Sequence, residues 1–174
     1  MKGTAMNYTW TYAHLPDANE LVGLSVKYIP EINPIFTVNV NVFAHNLVSA
    51  IVNQFYTGRT DLVVVARDAD NKLLGYTWAK SGDTGMWSTE PIVNVRIAHV
   101  DPNLSVRRRI LLCKDMLTIW ERFAQVTQCP IVASSSIRQE QQGFMRLHES
   151  AGFIVRGGVA YKRVDLSLTP TTLL

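Results

Sequence analysis

Three consecutive arginines, Arg107, Arg108 and Arg109, stand where a long helical pattern begins, just after Val100-Asp101-Pro102. Guanidinium groups pair well with phosphate and carboxylate oxygens, so the run could hold an anion. Cations in the first turn of a helix oppose its dipole at about 0.3–1 kcal/mol each when exposed, and an anion beside them would relieve that cost. The alternative is that the arginines are solvated, or paired with carboxylates such as Asp101 and Asp115. Two imidazoles, His99 and His148, could donate or accept protons near neutrality. His99 alternates onto one strand face with Ile97 and Val95, as a proton acceptor or as a core-edge residue. Phe144, Leu147, His148 and Ala151 share one helical face, which also suits a packed, hydrogen-bonded histidine. Other catalytic templates do not occur: there is no GxSxG, GxxxxGK[ST] or HExxH, and the histidines at 14, 45, 99 and 148 lack metal-ligand spacing. Ser134-Ser135-Ser136 reads as a cap for the following helix rather than as a nucleophile.

The elements that must position these residues follow from periodicity. Residues 8–14 suit a first strand, and Asp17 with Glu20 three residues on resembles a capping box opening a helix whose inner face carries Leu21, Leu24, Ser25 and Tyr28. Pro30 and Pro34 break the chain. A second helix then carries Phe43, Leu47, Val48, Ile51 and Phe55 and closes at Gly58. A strand over 62–66, a hairpin loop over 68–72 and a strand over 73–79 come next. Residues 81–90 read as a loop and 92–100 as a strand that Pro102 ends. The longest helix, 106–125, places Val106, Ile110, Cys113, Leu117, Trp120 and Ala124 on one face, broadened by Leu112, Met116 and Phe123, with Arg107, Arg108 and Asp115 opposite. A short buried strand over 131–133, a helix over 139–150 and a hairpin of 153–156 with 159–164 around Gly157-Gly158 complete the pattern.

The chain of 174 residues, 47% hydrophobic, is long enough to bury one sizeable core. One domain over 1–165 is expected, with a tail over 166–174 whose closing leucines favour docking, within the protein or onto a neighbour. No apolar run is long enough to span a bilayer and Met1-Lys2 opens no leader, so a cytoplasmic protein with no membrane partner is expected. A formal charge of +3, spread along the chain apart from Arg107 to Arg109, is too little basic surface to predict a nucleic-acid partner. Cys113 and Cys129 suit neither a disulfide framework nor a zinc site.

Two segments carry a resemblance. Val100-x-Pro102 followed by 105–110, and Gln141-x-x-Phe144-x-x-Leu147-His148-x-x-x-Gly152-Phe153, resemble motifs of the acyl-CoA N-acyltransferase superfamily, the GNAT fold. The resemblance covers 61–164. It implies an α/β fold: a mixed, mostly antiparallel, strongly twisted sheet with helices on both faces, splayed near the strand that ends at Val100. It further implies acetyl-CoA as cofactor, an acetyl group passed to a small-molecule or peptide amine, and an N-acetyltransferase activity. By the same resemblance Ala98 and Val100 would pair with the pantetheine arm, and Ser105, Val106, Arg107, Arg108 and Arg109 would contact the pyrophosphate. His148 would be the general acid in place of the usual tyrosine, and His99 or a water the base. The chain departs from the pattern: Ser105, Val106, Arg108 and Ile110 replace an Arg or Gln and the glycines, and Asn94 and Arg96 stand where a glutamate is usual. Those departures also suit a rival expectation, a GNAT-derived domain without chemistry that serves as a structural or binding module, homo-oligomeric or held by its tail in a larger assembly such as a phage virion.

Overall fold

A computed structural model describes residues 7–56, 60–136 and 141–156. Gly58, the start of the expected helix at 139, the expected strand over 159–164 with its Gly157-Gly158 turn, and the tail lie outside the described residues. Strand β1 (Tyr8–Tyr12) leads through a 3-10 turn (Leu15–Asp17) into α1 (Ala18–Val26), a short α2 (Ile29–Ile32) and α3 (Val40–Asn53). Strands β2 (Asp61–Asp68), β3 (Leu73–Thr84) and β4 (Pro91–Val100) follow, then α4 (Val106–Val126), β5 (Ile131–Ala133) and α5 (Gln142–Ser150). The sheet runs β1-β2-β3-β4-β5, antiparallel except for the parallel β4–β5 pair.

Every side chain of β2 from Asp61 to Ala66 is buried, because each sheet face carries its own core. Val63, Val65 and Tyr76 pack with Leu21, Leu47 and Ile51 of α1 and α3. Val64, Ala66 and Leu74 pack with Leu112, Met116 and Trp120 of α4. Burying a side chain of that size contributes about 1.5–3 kcal/mol, so the two layers secure the sheet that carries the site. The Trp120 indole N–H donates to Thr77 Oγ1 at 2.8 Å, and that hydroxyl donates to Ile97 O at 2.6 Å, which ties α4 to β3 and β4.

Several expectations are corrected. Asp17 and Glu20 form no capping box with each other; both carboxylates accept from Arg67 Nη2, at 2.8 and 2.6 Å, while Asp17 also accepts the His14 N–H at 2.7 Å. Pro30 sits in the first turn of α2, where its missing N–H costs nothing, and does not break the chain. Strand β3 continues into the expected loop as far as Thr84, because a register shift between Lys80 and Asp83 absorbs Gly82 and pairing resumes at Asp83–Ile92. Among the described residues β5 is the last strand of the sheet, and it is not buried: Ile131 is exposed and Val132 and Ala133 are half-buried. Residues 153–156 are not strand. No helix among the described residues is long and apolar enough to cross a membrane.

Candidate functional site

The parallel pairing of β4 with β5 is confined to Ile92–Ile131, Val93–Val132 and Asn94–Ala133. Beyond it the chain diverges: Val95 to Val100 line one side of a cleft of about 1400 Å³, and Ser134, Ser135 and Ser136 line another. The start of α4 and one face of α5 close the cleft on the β5 side, and α1, α2 and the start of α3 form the facing wall. Ala98 and Val100 therefore lie on a strand edge that no described strand covers. The serines do not cap α5, whose first turn begins at Gln141 without a side-chain cap.

The loop between β4 and α4 is held before any ligand arrives. The Asp101 N–H donates to Leu74 O at 2.8 Å, and Asp101 Oδ1 accepts from Lys27 Nζ at 3.0 Å and from the Asn103 N–H at 3.2 Å. Burial pushes this carboxyl up, but the Lys27 ammonium and the Asn103 N–H outweigh it and hold Asp101 below the usual carboxylate range. Ser105 is the N-cap of α4 and accepts the Arg108 N–H at 3.4 Å. The first-turn N–H groups of Val106 and Arg107 have no acceptor within the helix, as at any helix start.

The three arginines part company. Arg109 lines the cleft, and its buried Nε has no hydrogen-bond partner. Arg108 turns away, its Nη2 4.0 Å from Asp68 on the β2–β3 hairpin, and Arg107 is exposed outside the cleft. Neither carboxylate considered from sequence pairs with them: Asp101 takes Lys27, and Asp115 takes the Tyr8 hydroxyl at 2.6 Å and the Trp10 indole at 3.1 Å. The apolar stripe of α4 also divides. Its later residues enter the core, while Val106 at 61% exposure and Ile110 at 39% line the cleft with Cys113.

His99 lines the cleft and His148 does not. His99 Nδ1 lies 3.0 Å from Ser25 Oγ, in a hydrogen bond whose donor depends on the tautomer, and Ser25 Oγ is hydrogen-bonded to the Tyr76 hydroxyl. Its ring stacks on Tyr28 at 4.3 Å between centroids, and the Tyr28 hydroxyl donates to Val100 O. Burial, opposed by the Ser25 hydrogen bond, raises Tyr76 far above the usual phenol range, so it stays a neutral phenol. A β-bulge at Arg96, between the pairs Trp78–Ile97 and Ala79–Val95, puts Val95 on the opposite face from His99, against the expected alternation. His148 is 2% exposed, ringed by Trp120, Phe144 and Phe153, and its Nδ1 lies 2.9 Å from Phe144 O. Its Nε2 is buried without a partner, and burial, partly offset by that backbone bond, lowers its pKa. Asn94 and Arg96, at the position of the usual base, both donate to Asp83 Oδ2, at 2.8 and 3.0 Å, and Glu90 lies outside the cleft lining.

Sequence reasoning did not find Ser25, Tyr28 and Tyr76 as partners of His99, or Lys27 as the partner of Asp101. The inward spacing of Ser25 and Tyr28 was a signal for the first two. It also missed Gly75, where a Cβ would stand 2.7 Å from His99 O, so that only glycine lets β3 approach the end of β4 this closely. An acyl-CoA ligand suits these residues in three respects: a strand edge that no described strand covers for an amide-containing arm, a helix N-terminus, and the cleft-lining Arg109, whose Nε has no hydrogen-bond partner, for a phosphate.

No protein-family model matches the chain, and no curated protein sequence matches it. Solved structures do. A probable acetyltransferase is similar at 17% identity and TM-score 0.65, over 93% of this chain and 99% of the other. An aminoglycoside N-acetyltransferase, AAC(6')-Iy, solved in complex with CoA, is similar at 16% identity and TM-score 0.66, over 94% and 99%. A ribosomal-protein-alanine N-acetyltransferase from Brucella melitensis biovar Abortus 2308 is similar at 15% identity and TM-score 0.62, over 91% and 99%. The chain has the GNAT fold.

Proposed function

We propose that this protein binds acetyl-CoA in the cleft and passes the acetyl group directly to an amine. The observation that carries the reading is the edge of β4 from Val95 to Val100, which no described strand covers, opposite a diverging β5 and leading to the α4 N-terminus. Bound acetyl-CoA would supply a thioester-activated acyl group. Ala98 and Val100 would pair with its amide-bearing arm, and Arg109 with the N–H groups of Val106 and Arg107 would hold its phosphates. Ser105 shapes that turn by capping it. Arg107 and Arg108 stay outside, one in solvent and one beside Asp68.

Acyl transfer to nitrogen forms a C–N bond, breaks a C–S bond, and requires that the amine lose a proton. We assign that step to His99, which lines the cleft. With Nδ1–H donating to Ser25 Oγ, the Ser25 hydroxyl would donate to Tyr76 and Nε2 would be the acceptor nitrogen of the ring. The buried, neutral phenol makes that chain a fixed orienting device. The proposal gives His148 no part in the transfer, since it is 2% exposed and is not among the residues lining the cleft.

Titration calorimetry with acetyl-CoA tests the reading. Arg109→Glu is expected to weaken binding at least about tenfold through loss and reversal of a phosphate-pairing charge, and Arg107→Glu by less than about threefold. Absence of any binding heat with the wild type would sink the proposal. A second reading, a coenzyme-binding module without turnover, draws on the burial of His148 at the place of the usual acid. It predicts binding with no release of free CoA in the presence of any amine.

A further inference from the structure

We infer that the outer edge of β1 is a self-pairing surface, which takes a second copy of this chain in antiparallel register about a two-fold axis at Trp10. No strand among the described residues lies beyond β1 in the sheet. The strand reads Tyr8-Thr9-Trp10-Thr11-Tyr12, the same in both directions. A two-fold interface uses that property, because where residue i of one copy meets residue j of the other, j must also meet i. Tyr8 then meets Tyr12 of the second copy, Thr9 meets its Thr11, and Trp10 meets its Trp10.

The backbone polarity fits the same axis. The Ala13 N–H donates to Val63 O at 2.8 Å, so by the alternation of an antiparallel pair Thr9 and Thr11 also turn their backbone groups to β2, and Tyr8, Trp10 and Tyr12 turn theirs outward. An axis at Trp10 sets these outward residues opposite one another and pairs all of their outward groups. A slip of one residue sets bonding residues against non-bonding ones. The register with β2 is regular throughout, and β1 carries no charge, proline or bulge, the devices that ordinarily keep an edge from pairing. Side chains add to this. Tyr8, Trp10 and Tyr12 share the α4 face with Ala66 and Val64, so the pairs between copies there are aromatic on aromatic, while threonines pair on the other face. Tyr12 is 56% exposed, and its ring meets that of Phe55, 50% exposed, at 6.2 Å, which extends the apolar edge past the strand. The cleft lining includes no residue of β1, so the pairing leaves both clefts open. A five-residue edge by itself buries less than the roughly 1,200 Å² of a stable interface, so the expected dimer is reversible and concentration-dependent.

Sedimentation equilibrium of the full chain, from about 1 to 300 μM, tests the inference. The wild type is expected to pass from monomer to dimer within that range. Thr9→Lys combined with Thr11→Lys sets like charges opposite each other, as does Thr9→Glu combined with Thr11→Glu, and each pair of substitutions should weaken the dimer at least about tenfold. Mixing the two variants sets opposite charges together and should return the dissociation constant to within about threefold of the wild type. Both positions are exposed, so both variants are expected to fold, with Tm as the control. Should either unfold, Tyr12→Pro removes only an outward N–H and is expected to abolish the dimer in the same way. A wild type that stays monomeric, a dimer that none of these variants weakens, or a mixture that fails to restore pairing overturns the inference. So does a dimer that forms only when residues 166–174 are deleted, which would make the chain's own tail the occupant of the edge.

Discussion

His148 shows how one residue's surroundings decide its chemistry. Buried among Trp120, Phe144 and Phe153, it is held neutral, with a folded pKa below the 6.5 of an unfolded histidine. As pH falls the unfolded chain therefore takes up this proton first. The stability linked to His148 is complete above about pH 6.5 and is lost as pH falls toward the lowered folded value. In urea unfolding, the wild-type stability minus that of His148→Leu is expected to decline between about pH 7 and pH 5; a difference independent of pH would show that the imidazole does not titrate differently on folding. Asp101 has the same sign at more acid pH, since a depressed carboxyl stabilises above its unfolded value of 3.8 and loses that contribution as pH falls through the folded one. His99, by contrast, keeps polar partners and a place on the cleft, which is why it carries the proposed proton transfer.

At the level of elements, α4 is joined to the sheet at both flanks. Trp120 reaches Thr77 near the centre, and Asp115 accepts the Tyr8 hydroxyl and the Trp10 indole from β1 at the margin. Burial, then the hydrogen bond to Asp115, pushes the Tyr8 hydroxyl up to about 12, so it remains a donor across the working pH range. Asp115→Ala removes a charged acceptor from two partly buried donors, an expected loss of about 2–4 kcal/mol. For a chain of this size that lowers Tm by roughly 5–12 °C, measurable by circular dichroism. A change of less than about 2 °C would show that β1 does not depend on this anchor. The Lys27–Asp101 pair and Gly75 act at the other end of the same architecture, setting where β4 stops and α4 starts.

At the scale of the molecule, the described residues form two helical layers on a sheet in which the β4–β5 pairing covers three residues. That short pairing opens a cleft between the layers, and Cys113 lines it while Cys129 is buried. Alkylation by iodoacetamide, read residue by residue by mass spectrometry, is expected to reach Cys113 well before Cys129. Saturating acetyl-CoA should slow modification of Cys113. Equal rates with and without the coenzyme would place any binding site elsewhere.

The order of elements was legible in the sequence because hydrophobic period reports local geometry: β2 as a continuous apolar run, α4 as a 3.6-residue stripe, and Asp68 to Lys72 as turn chemistry that positions Asn71 at φ 62°. The inner faces of α1 and α3 followed from the same signal, although α3 ends at Asn53 and leaves Phe55, expected on that face, exposed. The site was legible only as a set of candidates. Periodicity cannot say which part of an apolar stripe meets a core, so Val106 and Ile110 read as buried while the divergence of β5 leaves them in the cleft. Nor can it say which of three adjacent arginines points inward, because that depends on Asp68, from a distant hairpin, drawing Arg108 away. Local sequence determined the elements and their polarity. The pairing of His99 with Ser25 and Tyr76, the sealing of His148 and the opening of the β4 edge were decided by contacts between residues far apart in the chain, which only the packed structure brings together.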